Sequence, residues 1–165
     1  SLESKSLVDD PTAAVFVTFV CDARGSSAGN PAWDTFGPIN NPPPPAGKGI
    51  VYIAGNDGKL GMKAKWVPNK VGLRDDGQDG DAKAGDGLWS GVFAFSKGTT
   101  LKYKYTIGIP SNEGQWGGTE EFPLTERGLE VTKDPAKKKM TIADVFADRP
   151  ALTGTKGAKT TVTVQ

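Results

Sequence analysis

Apolar residues in this chain come in short β-branched or aromatic runs that stop at Gly, Asp, Asn or Lys-Gly turns, and a helical 3.6-residue period is nowhere sustained. Runs of that length and spacing, without helices alternating between them, predict an all-β antiparallel sandwich and argue against a doubly wound sheet. The expected strands are 14–20, 49–55, 88–95, 101–107, 129–132, 139–142 and 160–164. The clearest is 101–107, where Leu101, Tyr103, Tyr105 and Ile107 share one face and Lys102, Lys104 and Thr106 the other. Its aromatic face should be core, with Lys104 on the opposite side, at the surface or over a groove.

The 165 residues suit one domain with one sizeable core. Residues 1–11 are polar and end at Asp10-Pro11, which suits a flexible lead-in. The module itself is placed at 12–146, and 147–165 is either a C-terminal edge strand at 160–164 or a linker. Between the first two strands, 25–48 holds Trp33, Phe36 and Pro42-Pro43-Pro44-Pro45, which favours extended backbone and cannot donate to a sheet ladder. This long Pro-rich inserted loop reads as a connection between strands, a docking peptide or a ligand-flanking loop.

Charge and histidine content narrow the function. Twenty Lys and Arg balance 19 Asp and Glu, so no global field draws the chain to nucleic acid or anionic lipid. The chain has no histidine, which removes the usual general base near neutral pH, the usual zinc ligand and every Ser-His-Asp or Cys-His arrangement. Cys21 stands alone at the end of an apolar run and reads as a buried thiol. No apolar run reaches the length of about 18 residues that spans a bilayer, so no membrane insertion is expected. The basic stretch 133–139 reads as a solvated turn.

One segment concentrates acids: 75–87 holds Asp75, Asp76, Asp79, Asp81 and Asp86 together with Gly77, Gly80, Gly85 and Gly87. Carboxylate oxygens at about 2.3–2.6 Å are what a hard Ca²⁺ ion requires, and glycines let backbone wrap around it. On a twelve-residue calcium-loop pattern Asp75, Asp79, Gly80 and Asp86 take the first, fifth, sixth and twelfth places. Gly77 replaces an expected Asp or Asn, the last ligand is Asp instead of Glu, and helical flanks are missing. The five aspartates are thus candidate ligands of a structural calcium, set against a plain Asx- and Gly-rich turn whose acids cap amides.

The tryptophans form the second constellation. Trp116 lies in a polar loop, 112–118, and is the best candidate for an exposed ring; Trp66 just precedes Pro68; Trp89 opens a strand continued by Val92, Phe93 and Phe95 and is expected in the core. An exposed indole suits the apolar C–H face of a sugar ring.

In this order of features the chain resembles the starch-binding carbohydrate modules of family 20 and their glycogen-binding relatives, which are immunoglobulin-like sandwiches. The matching pieces run across about residues 14–132: Val15-Phe16-Val17-Thr18-Phe19, then 49–55 with Lys59-Leu60-Gly61, Leu88-Trp89-Ser90-Gly91-Val92-Phe93, Leu101-Lys102-Tyr103-Lys104-Tyr105, Gln115-Trp116, and 126–131. The resemblance implies a sugar site built from a tryptophan after the Leu-Gly pair, the lysine between two aromatics and a tryptophan in the following loop. Lys104 and Trp116 match. Lys63 stands where the first tryptophan is expected, and Trp66 follows three residues later, so either Trp66 fills the role in a shifted loop or that stacking plate is gone. The Asp-Gly segment also resembles a turn in bacterial immunoglobulin-like surface modules, which implies an extracytoplasmic setting.

The expected protein is therefore an immunoglobulin-like sandwich, a module of a larger protein, that binds a polysaccharide such as an α-glucan through Trp66, Lys104 and Trp116 and does not catalyse. The alternative is a structural or adhesive surface module, stiffened by calcium, whose partner is another surface protein. An enzyme would need two carboxylates, such as a pair drawn from Glu113, Glu120 and Glu121, about 5–9.5 Å apart across a glycosidic bond, and the sequence places no such pair in a cleft.

Overall fold

The computed structural model describes residues 14–24, 49–58, 65–116, 125–149 and 161–164. The lead-in, the Pro-rich loop with Trp33 and Phe36, the 59–61 segment, Lys63, Glu120 and Glu121 lie outside the described residues. The strands are β1 (Ala14–Asp22), β2 (Ile50–Gly55), β3 (Val71–Gly72), β4 (Leu88–Ser96), β5 (Thr100–Gly108), β6 (Arg127–Glu130), β7 (Lys139–Val145) and β8 (Thr161–Val164), with one 3-10 turn at Pro110–Asn112. They form two four-stranded sheets, ordered β4-β1-β7-β8 and β3-β2-β5-β6. The fold is an all-β sandwich.

One pairing departs from the antiparallel expectation: β1 runs parallel to β7, in register from Phe16 opposite Lys139 to Asp22 opposite Val145. No hairpin joins them. A tight turn forces antiparallel neighbours, whereas strands that meet after a crossover through the other sheet are free to run parallel. The two-residue β3, paired with Tyr52 and Ile53, was not expected because two residues show no periodicity.

Alternation along β1 drives the core. Val15, Val17, Phe19 and Cys21 point inward and are buried, while Phe16, Thr18 and Val20 between them are more open. Phe19 meets Phe93, Phe95 and Tyr103 edge-on at ring-centroid distances of 5.9, 6.4 and 5.0 Å. Burying a phenylalanine to this extent contributes roughly 1.5–3 kcal/mol. Trp89 is partly buried and packs against this cluster.

A charged group also lies between the sheets. Asp144 on β7 accepts the hydroxyl protons of Tyr103 and Tyr105, each at 2.8 Å, and the Arg127 guanidinium faces it from β6 at 3.4 Å. Arg127 also reaches Asp148 at 2.9 Å and lies 5.3 Å from the centre of the Tyr105 ring. Burial pushes the Tyr105 phenol well above its usual pKa, with the Asp144 charge adding to the effect.

The β3-β2-β5-β6 sheet is covered on both faces around Tyr52, Ala54 and Thr106, and this positions the candidate site. Val51, Ile53, Leu101, Tyr103 and Tyr105 face the core. Tyr52 pairs with Thr106 and Ala54 with Lys104, so these four share the other face, yet Tyr52, Ala54 and Thr106 are buried too. The segments 65–70 and 110–116 close over it: the Asn69 amide donates to Thr106 Oγ1, and Tyr52 has its phenol pushed up first by burial and then by the charge of Glu113.

Candidate functional site

Trp66 and Trp116 sit on these two covering segments, and their rings meet. The centroids are 6.5 Å apart and the planes are tilted by 48°. Both side chains are half-buried. Trp66 therefore lies with Trp116 despite its offset from the position the family resemblance implies.

Backbone contacts hold Trp66 in place. Its amide donates to the Gly55 carbonyl at 2.8 Å, at the end of β2 and one residue from Ala54, the partner of Lys104. Its φ of 58° lies in the left-handed region. For a bulky residue that region is unfavourable by about 1–2 kcal/mol, and such strain collects where the surrounding structure enforces it, often at functional sites. Lys104 is half-buried on the same covered face of β5.

The Asp-Gly loop divides its acids in two. Asp75, Asp81 and Asp86 each bring a carboxylate oxygen within 4.8 Å of the others. Asp76 and Asp79 turn away to the Arg74 guanidinium, so the candidate ligand set contracts from five aspartates to three. Arg74 also holds the Asp76 carboxyl below its usual range. Asp75 is raised instead, first by burial; the Gly87 amide opposes this, and the Asp86 side chain and the Asp81 charge add to it.

The loop's backbone supplies part of the restraint that a cation would otherwise give. Asp75 accepts the amides of Asp86 and Gly87 at 3.2 and 3.0 Å, and Asp81 accepts that of Gly77 at 2.6 Å. Each carboxylate oxygen has a second lone pair, so the trio retains acceptor capacity for a hard cation, though three carboxylates fall short of the six to eight oxygens Ca²⁺ takes. Backbone carbonyls or water would complete such a shell. At Gly80, with φ of 93°, a Cβ would come within 2.6 Å of Val92, so this glycine lets the loop lie on the outer side of β4.

No protein-family model and no curated protein matches the chain. Among solved structures it is similar to a Glycoside Hydrolase Family 15 Glucoamylase from Hypocrea jecorina, at 17% identity and a TM-score of 0.46, over 81% of this chain and 17% of that one. Neither the activity nor the substrate of that protein carries over at this level of likeness.

Asn69 had no place among the sequence candidates. It is 1% exposed, has a left-handed φ of 57°, lies on the Trp66-bearing segment and bonds to the Trp116-bearing segment at Gln115 and to β5 at Thr106. Its one sequence signal is the Pro68-Asn69 pair, a turn dipeptide that points to a bend and not to a partner.

Proposed function

We propose that this chain is a non-catalytic carbohydrate-binding module for an α-glucan or a related polysaccharide, working within a larger extracytoplasmic protein. The observation that carries the reading is the Trp66–Trp116 pair, two half-buried indoles 6.5 Å apart with planes tilted by 48°. Aromatic faces stack on the C–H faces of sugars, and polar neighbours bond the hydroxyls. Flat β-linked chains favour coplanar plates, whereas the turning chain of an α-glucan presents successive rings at an angle. Lys104, as an ammonium with three donors, supplies hydroxyl contacts. The strained Trp66 backbone supports a functional role for this turn, and the lack of any histidine in the chain supports binding over catalysis.

The test is calorimetric and fluorescence titration with maltoheptaose, β-cyclodextrin and a cellulose oligomer. Saturable binding of the α-glucans, lost in Trp66→Ala and Trp116→Ala, is expected. Silence toward every glucan would overturn the reading.

A second reading, favoured by the convergence of Asp75, Asp81 and Asp86, is a structural or adhesive module stiffened by calcium and engaging another surface protein. A calcium-dependent rise in Tm, with no glucan response, would replace the first reading with this one.

A further inference from the structure

We propose that Asn69 is the positioning residue of the Trp66–Trp116 pair, joining the two tryptophan-bearing segments to each other and to β5. Its side-chain Nδ2 donates to the Gln115 carbonyl at 3.1 Å, immediately before Trp116, and its own amide donates to Thr106 Oγ1 at 3.3 Å on β5. A second link runs alongside: the Gly114 amide donates to the Pro68 carbonyl at 2.9 Å. Residues 68 and 69 thus hold 114 and 115, and each pair is within three residues of its tryptophan.

Three features show how narrowly this residue is specified. Asn69 is 1% exposed and Thr106 is fully buried, so the bond between them is made away from water, where a missing partner costs about 1–3 kcal/mol, while the bond to Gln115 is part-buried. The φ of 57° suits Asn, among the few non-glycine residues that visit the left-handed region routinely. A Cβ on Gly108 would lie 2.6 Å from Asn69 Oδ1, so β5 leaves room for this side chain by having none of its own.

Trp66 is also tied at the other side, to Gly55. With both ends of its turn fixed and the Trp116 segment bonded to the same turn, the ring tilt is set before any ligand arrives. Preorganisation of this kind saves the ordering entropy that a mobile pair would lose on binding. The consequence for glucan affinity rests on the proposed function; the joining of the two segments does not.

The experiment reads the rings directly. Two indoles this close and tilted couple their excited states, giving a far-UV circular-dichroism couplet that either Trp66→Phe or Trp116→Phe abolishes. Asn69→Gly keeps the backbone conformation but removes the side chain, and Asn69→Asp keeps the shape but sets an acceptor against the Gln115 carbonyl. Both are expected to halve the couplet or more and to weaken maltoheptaose binding by about tenfold. Ile142→Val, in the other sheet, destabilises without changing either. A wild-type couplet retained in Asn69→Gly, or no couplet in the wild type, overturns the proposal. Should the variants not fold, the wild type still decides: NMR coupling across the hydrogen bond from the Asn69 side-chain Nδ2 to the Gln115 carbonyl is expected, and its absence refutes the link. Loss of the couplet in the variants of a protein that binds no glucan would leave the positioning role standing and remove the sugar.

Discussion

Arg127 and Asp144 face one another across the two sheets, guanidinium to carboxylate at 3.4 Å, with side-chain exposures of 2% and 0%. Charges so placed are stable only as a set, since removal of one leaves its partner unpaired in the core and typically costs about 3–5 kcal/mol. Arg127→Leu is therefore expected to lower unfolding free energy in urea by about that amount. The double variant Arg127→Leu/Asp144→Asn, which removes both charges and keeps an acceptor for the two tyrosines, should recover part of the loss. Additive losses in the double variant would show that the two residues are not coupled.

The Tyr105 phenol beside this pair sets an alkaline limit. Its folded pKa is raised, so the stability it contributes is fully present below the ordinary value of 10.0 and is lost as pH rises through the folded value. Phenolate absorbance from Tyr105 is expected to appear with unfolding instead of before it. A Tyr105→Phe variant should extend the alkaline range.

Strain at Trp66 separates binding from stability. Trp66→Ala and Trp66→Gly remove the same ring, but only glycine adopts the φ of 58° freely. Trp66→Gly is expected to be more stable than Trp66→Ala by about 1 kcal/mol, after allowing for glycine's greater freedom in the unfolded chain. Thermal melts of the two variants measure the difference. Equal stability would show that the turn relaxes once the indole is gone.

At the Asp-Gly loop and at the end of β1 the pH dependence has opposing signs. Asp75 is raised, so its contribution is complete below the ordinary 3.8 and is lost as pH rises through the folded value. Asp22 and Asp76 are lowered by Arg24 and Arg74, so theirs is present above 3.8 and is lost as pH falls through their folded values. NMR titration of the side-chain carboxyls is expected to show Asp75 above the other two, and Asp86→Asn should bring it down. If calcium binds the trio, saturating calcium lowers the Asp75 titration and raises Tm, and Asp75→Ala loses both effects. An unchanged Tm with calcium and with chelator removes the metal.

Much of the sandwich was legible because its strands carry a period of two. Leu101, Tyr103 and Tyr105 alternate with Lys102 and Lys104, and burial follows the alternation through Tyr105. The pattern then fails: Thr106 and Gly108 are as buried as Tyr105 and Ile107. Polar alternation marks a face as turned away from the core but carries no information on whether a distant loop will cover it. The same limit applied to the Asp-Gly loop. Five aspartates in thirteen residues were evident, but Arg74 taking Asp76 and Asp79 depended on the loop's bend.

By itself the sequence determined that the chain forms β-structure, which residues supply its main core and which aromatic, basic and acidic side chains are available for binding, because these follow from local periodicity and residue chemistry. Tertiary structure alone decided that β1 pairs with β7 in parallel, that Arg127 meets Asp144, and that Asn69 joins the segments carrying Trp66 and Trp116. Each of these is a contact between residues far apart in the chain. Its geometry depends on how the two sheets stack and where their loops come to rest, which no local pattern encodes.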